Sequence, residues 1–109
     1  LLVAYRRAAN IVTIESRKDG TSFTSKPDPD LYQLKEEEDV AEVLAQILTS
    51  LPDLIERQEF NRAAETLATL RNSVDAYFEN VIVNSGDILL RINRLKTLNL
   101  IVSTMNKIN

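Results

Sequence analysis

The sequence predicts an all-α fold, an antiparallel bundle of four main helices plus short helices. Three observations carry the prediction. Residues 1–16, 40–51, 60–70 and 88–105 repeat apolar residues at the three- and four-residue spacing of a helix with one buried face. The one run with strand composition, Val81-Ile82-Val83, has nothing else in the chain to pair with, so it reads as a buried extended connector. A length of 109 residues suits one domain, able to bury roughly two-thirds of its unfolded surface without staples.

Taken in order, Leu1, Ala4, Tyr5, Ala8, Ile11 and Val12 form the inner stripe of a first helix over residues 1–16, with Arg6, Arg7, Asn10 and Thr13 opposite. Residues 18–30, with Gly20, Pro27 and Pro29, read as a loop in which Phe23 is the only large apolar residue. Leu31, Tyr32 and Leu34 suggest one short turn against the bundle. Glu36-Glu37-Glu38-Asp39 then favours a helix N-terminus, each acid contributing a few tenths of a kcal/mol, and reads as a solvated helix start rather than a metal site. Val40, Val43, Leu44, Ile47, Leu48 and Leu51 give the second helix a clean stripe. Pro52 predicts a kink or break near Ser50, with Ser50 capping a new segment to about Arg57. Phe60, Ala63, Ala64, Leu67 and Leu70 mark the third helix. A separate short helix over Val74–Glu79, capped by Asn72 or Ser73, is expected to bury Tyr77, Phe78 or both. The last helix should run from near Asp87 to about Met105. It is apolar nearly all round, which places it at the bundle's centre or under a covering segment. Core positions should include Val43, Leu44, Ile47, Leu67, Leu70, Phe78, Leu95 and Val102.

The chain has no Cys and no His, which removes thiol chemistry, the common zinc sites and imidazole catalysis. No nucleophile–base arrangement marks a small enzyme, so no catalytic and no metal-binding residue is assigned. The net charge of -3 is unevenly spread. Residues 1–18 hold Arg6, Arg7, Arg17 and Lys18 against Glu15, residues 88–109 hold Arg91, Arg94, Lys96 and Lys107 against no acid, and residues 28–65 hold eleven acids against three bases. If the first and last helices are neighbours, one face is basic on an acidic molecule. No apolar run approaches a membrane span and no signal segment opens the chain, so a soluble, cytoplasmic protein with no membrane partner is expected. The chain opens at Leu1 within a helical pattern and without Met, which reads as a piece of a longer protein.

A dense block, Leu70 to Leu95, carries a resemblance. Leu70-Arg71, Val74-Asp75-Ala76-Tyr77-Phe78, Val81-Ile82-Val83 and Arg91-Ile92-Asn93-Arg94-Leu95 resemble, in order and separation, the C-terminal end of the bacterial glycyl-tRNA synthetase beta subunit. Tyr5 to Ile11 and Leu34-Lys35-Glu36 extend the likeness over nearly the whole chain. Where that family carries Asp-Ala-Leu this sequence has Arg62-Ala63-Ala64, so no role passes to the missing Asp. The resemblance implies a single helical, DALR-like anticodon-binding domain over residues 1–109. It implies a parent ligase that uses ATP and Mg to charge glycine tRNA, with the remainder of the beta subunit and an alpha subunit as partners. It implies no cofactor within this segment, which has no Gly-rich phosphate loop.

The polar residues divide into two readings. Architecturally, Arg91 lies on the apolar stripe of the last helix and needs an acid, with Asp75 favoured and Glu79 next. Asn80 and Asn84 would then satisfy free backbone groups of the connector. Functionally, Asn93 and Arg94 present donors suited to unstacked bases, while Arg6, Arg7 and Lys96 suit phosphates. A different class of function also fits the sequence: a protein-interaction module, without RNA binding, docking through the second apolar face of the last helix.

Overall fold

The computed structural model describes residues 1–107 and contains four long helices and one short turn of helix, with no strand among the described residues. They are α1 (Leu2–Asp19), a 3-10 turn (Pro29–Leu31), α2 (Lys35–Glu56), α3 (Phe60–Asn80) and α4 (Ile88–Lys107). α2 and α3 form an antiparallel hairpin, α1 packs along α4, and α4 also contacts α2. The molecule measures 44 × 26 × 22 Å.

Each helix end has a local cause. α1 stops at Gly20, which takes the left-handed conformation (φ 65°) and donates its N–H to the Ser16 carbonyl, as a glycine just past a helix does without steric cost. Gln58 fills the same role after α2, at φ 58°, so only Arg57, Gln58 and Glu59 separate α2 from α3. Asp87 starts α4 by accepting from the backbone N–H groups of Leu89 and Leu90. No side-chain oxygen caps α2 at Leu34. Instead the Glu37 carboxylate reaches back to the Leu34 and Gln33 N–H groups.

Two expected breaks are absent. α2 runs through Pro52, so there is neither a break nor a cap at Ser50. Pro52 removes only the bond to the Leu48 carbonyl, and the burial of Leu51 on one side and Leu54 on the other keeps the turn helical. α3 likewise runs without interruption through Asn72 and Ser73. Those residues favour caps but do not forbid a helix, and the inner stripe Ala63, Leu67, Leu70, Val74, Tyr77 keeps helical spacing straight across them.

Of the expected core, Val43, Leu44, Ile47, Leu70 and Leu95 are buried, while Leu67, Phe78 and Val102 are half-buried at its edge. Phe23 does dock, at 1% exposure, and ties the 20–34 segment down. The connector keeps the extended geometry expected of it at Val81 (φ -103°, ψ 123°), which is buried, whereas Ile82 points to solvent. α4 sits centrally. Leu95, Leu98 and Ile101 are fully enclosed, and Leu100, on another of its faces, is half-buried and lines a pocket with Lys26, Pro27 and Tyr32. Its exposed apolar residues, Ile88 and Leu89, are confined to its start.

Candidate nucleic-acid interface

The antiparallel seam of α1 and α4 is fixed at both ends. Near one end the Tyr5 hydroxyl donates to Asn106 Oδ1 at 2.7 Å. At the other, Arg91 donates to Asp19 at 2.6 and 3.1 Å and to Glu15 at 2.8 Å. Glu15 and Asp19 lie four residues apart, on one face of α1, so a single guanidinium spans both. Asn84 Oδ1 accepts from Arg91 Nε at 3.0 Å. Hydrogen bonds from Arg91 hold the Asp19 carboxyl below its usual range, and these two carboxylates raise the guanidinium in turn. The sequence-based pairing of Arg91 with Asp75 is therefore corrected. Asp75 is exposed on α3 and lies 4.0 Å from Arg71 one turn earlier, while Glu79 is likewise on the surface. The error came from assuming that Arg91 faces α3. Asn80 bonds the Ala76 carbonyl of its own helix, and Asn84 bonds Arg91, so neither satisfies the connector backbone.

This seam shapes the charge of the surface beside it. Glu15 and Asp19 are the only acids of α1, and both are engaged by Arg91; α4 contains no Asp or Glu. Arg6, Arg7, Arg17 and Lys18 are exposed on α1, and Lys96 is partly exposed on α4. At about 100° per residue, Arg6, Arg17 and Lys96 fall on the outer side of the seam. Arg7 falls on the opposite edge of α1, where its guanidinium lies 4.4 Å over the Phe78 ring.

Arg94 and Asn93 point the other way. Arg94 is 6% exposed; its Nε bonds Glu37 at 3.0 Å and its Nη1 the Ile82 carbonyl at 2.8 Å. Burial alone would raise the Glu37 carboxyl, but hydrogen bonds from Arg94, Gln33 and Leu34 outweigh it and hold the group below its usual range. The Tyr77 hydroxyl donates to the Arg94 carbonyl, and burial pushes its own ionisation well up. Asn93 is 2% exposed and clamps Asp28 twice, accepting from its N–H at 2.6 Å and donating to its carbonyl at 3.0 Å. Both side chains thus hold the connector and the first loop onto α4. Their position at the edge of the apolar stripe, from which base contact was expected, is an interior one here because the 20–34 segment and the start of α2 cover that side.

Sequence reasoning missed Glu37, reading it only as one of four acids at a helix start. Its place three residues after Leu34, where a side chain can return to the preceding backbone, was the available signal. The Glu15/Asp19 pair was also missed, although a four-residue spacing of acids beside a basic helix was visible. Among the described residues no group of Asp and Glu could hold a metal ion, and no helix is long and apolar enough to cross a membrane.

Residues 1–108 match the family described as the DALR anticodon binding domain. The chain is 43% identical to the glycine–tRNA ligase beta subunit of Rhodospirillum centenum over 97% of its own length, and 32% identical to that of Cereibacter sphaeroides over 99%. It is 33% identical, again over 99%, to that of Rickettsia akari. It spans only 15 to 16% of the length of these curated relatives. No solved structure matches.

Proposed function

We propose, from the premise that this chain belongs to the DALR anticodon binding domain family, that it is the tRNA-recognition domain of a glycine–tRNA ligase beta subunit. In that role it docks the anticodon arm of glycine tRNA on the outer face of the α1–α4 seam. The observation that carries the reading is the masking of Glu15 and Asp19 by Arg91. It offsets one of the two carboxylate charges of α1 and holds the other at the seam, beside a surface that presents Arg6, Arg17 and Lys96, with Arg7 at its margin. A cationic face of this kind attracts phosphates by counterion release, even on a protein of net charge -3. Asn93 and Arg94 act in this reading through the fold, by fixing the first loop and the connector, and not by touching RNA.

The chemistry of charging is assigned to other parts of the parent enzyme, including an alpha subunit. The ATP and Mg that charging requires are assigned to those parts as well. The test is charge reversal of Arg6, Arg7 and Lys96 together in the intact ligase. The tRNA KM should rise while glycine activation stays unchanged; unaltered charging kinetics would remove this face as the docking site.

A further inference from the structure

A groove of about 550 Å³ opens between α1 and α3, within the roughly 300–1,000 Å³ range of small-ligand sites. Its lining includes the apolar Ala4 and Phe78, beside the first residues of the chain, and the charged Arg7, Arg71, Asp75 and Glu79. Arg71, Asp75, Phe78 and Glu79 follow one another at helical spacing on a single face of α3. The core uses Leu70, Val74 and Tyr77 from that stretch and has no use for Arg71 or Asp75, whose side chains are 67% and 61% exposed. Two arginines balanced by two carboxylates make a poor phosphate site, because the acids repel an anion. The same set suits a neutral ligand edge that offers a donor beside an acceptor. The Arg7 guanidinium lies 4.4 Å over the Phe78 ring and Arg7 is exposed, so a base can reach it from solvent.

We infer that this groove takes one unstacked RNA base, cytosine or adenine, stacked on Arg7 and read by Arg71 and Asp75. These two bases place an exocyclic amine beside a ring-nitrogen acceptor; uracil reverses the pattern. Asp75 accepts from the amine and Arg71 donates to the ring nitrogen. The existing 4.0 Å contact between them is loose enough to open around a base edge. The inference rests on the docking proposed above and adds a second element to it. Phosphates bind across the α1–α4 face, and one base turns over the edge of α1 at Arg7 into the groove.

The test measures binding of the 109-residue chain to glycine anticodon stem-loop RNAs in which loop cytidines are replaced singly by uridine. At one loop position the original chain should favour cytidine by about tenfold. Asp75→Asn and Arg71→Ala, both on exposed side chains and checked by unchanged melting, should each bring that ratio close to one. The salt dependence should not change. Full discrimination in both variants, or none in the original chain, would overturn the groove while salt-dependent binding through Arg6 and Lys96 kept the docking face. A chain that binds none of these RNAs would overturn both.

Discussion

Arg91 and Arg94 stand three residues apart on α4 and meet acids in opposite surroundings. Arg91 sits at the rim of the α1–α4 seam, with two partly exposed carboxylates; Arg94 sits inside, on a Glu37 carboxylate that is 1% exposed. At the rim, the three side chains keep 12 to 26% of their surface, so water shares part of the charge. In the interior, each ion is tolerable only because the other is present, and five hydrogen bonds satisfy the pair at once. The rim pair therefore governs the charge that a ligand meets, and the interior pair governs whether α2, α4 and the connector assemble.

The sharpest way to break this comparison is Arg94→Met, which strands Glu37 without its cation. We expect a loss of about 3–5 kcal/mol in chemical denaturation. Adding Glu37→Leu should recover only part of it, because Gln33 and Leu34 would then lose the acceptor for their N–H groups. Leu95→Ala, a purely apolar loss in the same helix, should cost about 2–5 kcal/mol. Asn93→Ala should cost about 1–3 kcal/mol, since it leaves the Asp28 N–H without its acceptor. Proteolysis should then shift to the 20–34 segment. Arg91→Met should cost the least of the four, and its effect should shrink as salt is added.

Acid sharpens the same contrast. The Glu37 carboxyl is lowered in the folded protein from its ordinary value of 4.5. Its pair is thus fully stabilising above that value and is lost as pH falls through the lower folded one. Melting temperature should drop below about pH 4.5 in the original chain. In the Glu37→Leu, Arg94→Met double variant that part of the drop should be missing.

Four helices and their inner faces were legible in the sequence, because apolar spacing reports burial directly; that α1 and α4 are neighbours entered there only as a condition and is supplied by the structure. Continuity at Pro52 and at Asn72-Ser73 was not, since cap-prone residues mark possible ends and packing decides whether they are used. The candidate basic face was legible by charge, and its ion-pair partners were not. Arg6, Arg7 and Lys96 followed from the basic balance of the first and last segments, but the identity of each acid partner depends on how helices are rotated against one another. The inward turn of Arg94 and Asn93 depends on the 20–34 segment folding back over α4, and Phe23 alone hinted at that.

The most direct measurement is the salt dependence of glycine tRNA binding to this chain and to its Arg6→Glu, Lys96→Glu variant. For the original chain log affinity should fall linearly with log salt, the slope should be shallower by about two units in the variant, and both should melt at the same temperature. Equal slopes for the two proteins would contradict the proposed docking face.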